Sequence, residues 1–156
     1  MFEIRDYGVG LTEEAAKKTI LLYLGSDKDD REDMVGGWGV GSKSPFAYAT
    51  TYEVLVYKDG KFAHFTCWKD ENGIPNSAVI ERGDTEEPNG VLMRVPVESR
   101  HVSQFTTALY GYMDWTNYNV ELITSSGVRK PRVPALQKDF GDYKIKVYRG
   151  SNLSLS

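Results

Sequence analysis

Apolar and polar residues change their period several times along this chain, and each change marks an element. Phe2-Glu3-Ile4-Arg5-Asp6 alternates apolar and polar, the pattern of a short half-buried strand. Gly8 and Gly10 then break it. Thr12 is a good helix N-cap, and Glu13 and Glu14 put negative charge where the helix dipole favours it. Over residues 13–24, Ala16, Ile20, Tyr23 and Leu24 recur at helical spacing with one apolar face, and Gly25 suits the C-cap. Residues 26–33 are too charged for core, with Asp27, Asp29, Asp30, Glu32 and Asp33 against Lys28 and Arg31, and read as a mobile loop. Gly36-Gly37-Trp38-Gly39-Val40-Gly41 follows and leads into Ser42-Lys43-Ser44-Pro45. Pro45 fits a first helical turn, where its missing N–H costs nothing.

From Tyr52 the period becomes two. Residues 52–57 and 62–68 predict strands, and Lys58-Asp59-Gly60-Lys61 supplies the Asp-Gly turn of a tight hairpin. Residues 70–75 form another turn region, and strands follow near 77–82 and 91–97 around an acidic loop at 83–90. Val102, Phe105, Leu109, Tyr112 and Met113 return to helical spacing and predict a helix over 99–114, with one more strand at 120–124. Beyond Ser125 the texture changes. Residues 127–134 are basic and hold Pro131 and Pro134, as an extended connector would. Residues 143–148 alternate again, and a strand there must rejoin the main sheet or belong to a further domain. The economical architecture is α+β: a two-layer α/β sandwich, its sheet mostly antiparallel and its helices on one face. It would form one domain over 1–125, with 126–156 as connector and the start of a following segment.

Bulk properties narrow the partners. The chain has 156 residues, enough for one domain with a core and too few for two ordinary ones. Net charge is −3 and no basic block occurs, so nucleic acid is not an expected partner. Cys67 is the only cysteine, which excludes an internal disulfide and fits a reducing compartment. No apolar run has the length of a transmembrane segment, and Met1 opens no charged-then-apolar leader. A cytoplasmic protein is expected, with room for peripheral membrane association through a partner.

Two glycine-rich elements carry the chemistry, Asp6-Tyr7-Gly8-Val9-Gly10 and Gly36-x-x-Gly39-x-Gly41. Glycine permits positive φ, or an approach that a Cβ would block. A helix opening after Gly41 would aim free N–H groups at an anion such as phosphate. A carboxylate ending a strand beside a glycine turn can accept a hydrogen bond from an exocyclic amine such as that of adenine. A P-loop fails because Ser42 stands where its lysine belongs and no buried strand precedes the glycines. A Rossmann turn fails for want of a βαβ unit. Lys43 reads as a solvated helix residue. His64 and His101 lack metal-ligand spacing, and Ser42 and Ser44 have no neighbouring base. Tyr110, Tyr112, Trp115 and Tyr118 form an aromatic cluster that reads as core or interface.

Taken together, Asp-x-Gly-x-Gly, a helix, a polar loop, Gly-x-x-Gly-x-Gly and a second helix resemble the order of the Bergerat-fold (GHKL) ATPases. Gyrase B subunits, ninety-kilodalton heat-shock chaperones, MutL and histidine kinases belong to that class. Gly41-Ser42-Lys43-Ser44-Pro45-Phe46-Ala47-Tyr48 resembles, more narrowly, the rIIA lysis inhibitor proteins of tailed bacteriophages, relatives of the class. The resemblance implies that Asp6 contacts adenine and that Gly8 and Gly10 form the turn beneath it. It places Gly36, Gly39, Gly41, Ser42 and Lys43 toward the phosphates and residues 26–33 at the ATP lid. It implies ATP with magnesium as ligand, and a protein partner or self-association.

Departures from the family pattern temper that expectation. The family's preceding helix bears a water-activating glutamate and a magnesium-binding asparagine, and only Met1 to Arg5 stand ahead of Asp6 here. Loss of such a base costs on the order of 10²–10⁴-fold in rate. No catalytic residue and no protein metal ligand is therefore expected. Val91 stands where a threonine commonly supports the adenine contact, and Arg129-Lys130-Pro131-Arg132 is a poor match for the family's phosphate lysine. The expected function is a phage rIIA-like protein that binds adenine nucleotide, is weak or inactive as an ATPase, and acts in control of host lysis. Two alternatives stand: part of an active GHKL ATPase, or a protein-interaction module that binds no nucleotide.

Overall fold

The structure is a computed structural model that describes residues 1–21, 41–115, 121–124, 127–130, 136–139, 144–147 and 154–155. Although the length favours one domain, the chain divides into two compact units, Met1–Glu98 and Ser99–Ser156. The change of texture at Ser125 falls inside the second.

The first unit is built on a five-stranded antiparallel sheet. Its strands are β1 (Phe2–Asp6), β2 (Thr51–Lys58), β3 (Lys61–Lys69), β4 (Pro75–Asp84) and β5 (Gly90–Val95), in the order β1-β5-β2-β3-β4. The period-two segments of this unit are therefore all in one sheet. The β2–β3 turn has Asp59 at φ 51° and Gly60 at φ 77°, the two positive values that a two-residue hairpin of this hand requires. Strand β4 outruns the expected 77–82, and Ile80 is an extra residue opposite the His64–Phe65 step, so the ladder shifts register there.

Alternation sorts the sheet into two faces. Tyr52, Val54 and Val56 of β2, Ala63, Phe65 and Cys67 of β3, and Val95 point to one face and form the core with Ala16 and Phe46. Ala16 comes from helix α1 (Glu13–Leu21), whose start is capped as expected: the Ala15 N–H donates to Thr12 Oγ1 at 3.2 Å. The expected end of α1 at residues 22–25 lies outside the described residues. Phe46 comes from a 3-10 helix, Gly41–Ala47, and meets Tyr52 edge to face with centroids 4.8 Å apart. The opposite face carries a charged row, in which Arg94 Nε donates to Glu3 at 2.8 Å and His64 Nε2 lies 3.2 Å from Glu53.

In the second unit, a short 3-10 turn (Ser99–His101) leads into helix α2 (Val102–Trp115), which matches the expected helix. Strand β6 (Leu122–Thr124) pairs with β7 (Gly127–Arg129), so the stretch read as connector begins as half of a hairpin. Strands β8 (Leu136–Asp139), β9 (Lys144–Val147) and β10 (Ser154–Leu155) pair antiparallel in a sheet of their own rather than rejoining the main one. Among the described residues, no helix is long and apolar enough to cross a membrane.

One contrast tests the backbone crossing after β1. Gly10 has φ 70°, and a Cβ there would overlap the Tyr57 carbonyl, whereas Gly73 has φ 77° with open space around it. Gly10→Ala should lose about 2–4 kcal/mol of unfolding free energy and Gly73→Ala only about 1 kcal/mol, read from urea titration. Equal losses would show that the crossing is not tight.

Candidate functional site

Three loops meet at one end of the first sheet and hold the end of β1 in place. The Asp59 N–H donates to Asn89 Oδ1 at 2.8 Å and the Thr85 N–H to the Gly60 carbonyl at 2.9 Å, tying the hairpin turn to the β4–β5 loop. Lys58 Nζ donates to the Val9 carbonyl at 2.7 Å, tying the same turn to the glycine loop after β1. Arg5 donates to the Pro88 carbonyl at 2.8 Å and lies over the Tyr57 ring, 3.9 Å from its centroid. Gly90, at φ 145°, sits so close to the Asp6 carbonyl that a Cβ would overlap it. The position is reserved for glycine by contact as well as conformation. Sequence reading left Gly90 as a loop end; the Asn89-Gly90 pair was the available signal.

This bracing fixes Asp6. It ends β1 opposite Val91, in a cross-strand row that continues through Val56, Ala63 and Arg82 on the helix-side face. Its Oδ1 accepts the Gly8 N–H at 2.9 Å, and a Cβ at Gly8 would stand 3.1 Å from that oxygen. The other oxygen, Oδ2, accepts no hydrogen bond among the described residues, and the residue is exposed. One oxygen is held by backbone while the second remains an acceptor for an external N–H donor. Asp6, Gly8 and Gly10 are thus brought into one local arrangement.

The second glycine element is placed differently. Gly36, Gly39 and the expected lid at 26–33 lie outside the described residues. Gly41 and Ser42 open the 3-10 helix, where an ordinary helix had been expected. Lys43 corrects its expectation of solvation: it is 6% exposed, and burial lowers its pKa below the usual lysine value. The reason is periodicity. In a 3-10 helix residues three apart share a face, so Lys43 is carried inward with Phe46, a core residue.

The remaining candidates are structural. Arg129 lies over the Tyr110 ring at 3.7 Å and Lys130 pairs with Glu121 at 2.9 Å, so both cations are engaged within the second unit. His64 belongs to the charged row, and no group able to hold a metal ion occurs among the described residues. A cavity of about 390 Å³ lies on the helix-side face, lined by Val56, Ala63 and Arg82 from the far end of the Asp6 row. Asp6, Gly8 and Gly10 do not line it. Compared with models of known protein families and with curated proteins, this chain matches none.

Two titrations check these placements. Burial pushes the Cys67 thiol up to about 11, although its hydrogen bond with the equally buried Tyr52 opposes the shift. Cys67 should therefore resist iodoacetamide at pH 8 and react once denaturant unfolds the chain; fast native labelling would contradict its burial. Glu13 is held below its ordinary value of 4.5 chiefly by the hydrogen bond from Lys17, and then by the nearby Arg82 charge. A depressed carboxyl stabilises the fold above its unfolded pKa and loses that contribution as pH falls through the folded one. Glu13→Gln should accordingly lower Tm slightly at pH 7 and leave it unchanged at pH 3.

Proposed function

We propose that the first unit is an adenine-nucleotide-binding module of the Bergerat type, rIIA-like, weak or inactive as an ATPase, that acts in control of host lysis. The observation that carries this reading is the Asp6 arrangement. A strand-end carboxylate accepts the Gly8 N–H, has a second acceptor oxygen open to an exocyclic amine, and belongs to a residue whose backbone carbonyl is held against Gly90 too closely for a side chain there. Val91 lies directly across from Asp6, at the place where the resemblance sets the threonine that supports adenine. A two-layer sandwich of the family's kind is in keeping with α1 and the 3-10 helix contributing to one face of an antiparallel sheet.

No described residue is assigned to water activation. Magnesium would arrive on the nucleotide's own phosphates. Gly36, Gly39, Gly41, Ser42 and Lys43 remain part of the proposal as the phosphate side. The setting would be the cytoplasm of an infected bacterium, with any attachment to the inner membrane made through a partner. A second reading, a protein-interaction module, has one observation of its own: Ile4 lies in β1 on the helix-side face and is 53% exposed.

Nucleotide binding is read as thermal stabilisation. A ligand at 100 times its Kd adds about 2.7 kcal/mol to the folded state, so millimolar ATP with magnesium should raise Tm by several degrees. Asp6→Asn should abolish the shift. Its amide oxygen can still accept the Gly8 N–H, but an NH₂ then replaces the acceptor facing the amine. A shift that survives in the Asn variant removes Asp6 from the site, and no shift in the unaltered protein favours the interaction module.

A further inference from the structure

The two margins of the five-stranded sheet are built differently. Strand β4 guards its own: it opens at Pro75, holds an extra residue at Ile80, and carries Glu81, Arg82 and Asp84 toward its end. Proline, a bulge and charge are the devices by which an edge avoids pairing with another chain. Strand β1, among the described residues, has a neighbour on one side only, and its pairing with β5 runs without a register shift. Helix α1 lies at the far side, against β4, where Glu13 pairs with Arg82. The loop after β1 turns inward and sets Gly10 against the Tyr57 carbonyl, away from the outer margin. Large apolar side chains collect at that margin: Met1, Ile4, Tyr7 and Val9 are each more than half exposed. Every second residue of an edge strand turns its N–H and C=O outward, so such a margin is a template for another strand.

We infer that β1 is the contact through which two copies of this chain pair, antiparallel, about a two-fold axis at Ile4. The strand's own sequence selects both the second copy and the register. With Ile4 opposite the partner's Ile4, Glu3 faces the partner's Arg5 and Phe2 faces the partner's Asp6, twice over by symmetry. Sliding the pairing by two residues sets Glu3 against the partner's Glu3, or Arg5 against the partner's Arg5. Like charges directly opposite are destabilising. Sliding it by one sets Ile4 against a charge and turns the two helix layers to opposite faces. In the matched register both helix layers share one face, and Met1 comes beside the partner's Tyr7. Arg5 leans inward over the Tyr57 ring, so the unlike charges attract across the ladder without closing an ion pair. A pairing this short buries less than about 1,200 Å², the class of weak and transient interfaces. It stands independently of the nucleotide reading, although it places the partner's Phe2 across from Asp6.

Sedimentation equilibrium of the full chain, without nucleotide, tests this. A monomer–dimer equilibrium is expected, with Kd on the order of 100 µM. Ile4→Lys sets two ammonium groups at the axis and should weaken the dimer about tenfold or more. Its circular dichroism and Tm should change little, because Ile4 lies outside the core. Glu3→Lys should weaken the dimer about threefold, and more at low salt. Ile4→Cys reads the register directly. Opposite residues of an antiparallel ladder have Cα atoms about 4.5–5.5 Å apart, within disulfide reach, so this variant should cross-link when oxidised with diamide. Ile80→Cys, similarly exposed at the other margin, should not. A chain still monomeric at about 1 mM would overturn the assignment. So would a dimer indifferent to Ile4→Lys, or Ile4→Cys cross-linking no better than Ile80→Cys.

Discussion

The first unit depends on a place where two backbone segments cross with no room for side chains. After β1 the chain must leave one edge of the sheet and reach α1, whose Ala16 packs in the core. It does so by passing Gly10 against the Tyr57 carbonyl and setting Asp6 against Gly90. Close backbone contact of this kind has no soft coordinate: a Cβ cannot rotate away as a longer side chain can. The carboxylate of Asp6 inherits that rigidity, since its own backbone and the loop that follows are both held.

Around the crossing, polar contacts do what packing cannot. The loops there are exposed and gain little from burial, so side chains and carbonyls hold them: Asn89 on Asp59, Lys58 on Val9, Arg5 on Pro88 and Tyr57. Each such bond contributes on the order of 1 kcal/mol, enough in sum to order a loop that would otherwise fray. Lys58 serves two ends of this arrangement, since it braces the glycine loop and lines the neighbouring cavity.

Much of the fold was legible in the chain. Thr12 followed by Glu13 and Glu14 announced the start of α1, and Asp59-Gly60 announced the hairpin, because both signals act within a few residues. The alternating segments identified the strands, since a half-buried strand must repeat every two residues. Lys43 was misread because charge outweighed position. In the 3-10 helix, with its three-residue repeat, Lys43 lies in line with buried Phe46. The hairpin at 127–129 was hidden by basic and proline-rich neighbours that resemble a connector.

What the sequence determined by itself is local: caps, turns, strand period, and the presence of a carboxylate beside a glycine turn. Tertiary structure alone decided that Val91 faces Asp6, that Gly90 touches its carbonyl, and that Lys58 reaches Val9. The reason is separation along the chain. Asp6 and Val91 become neighbours only through the strand order β1-β5-β2-β3-β4, and no local propensity encodes which strands lie side by side.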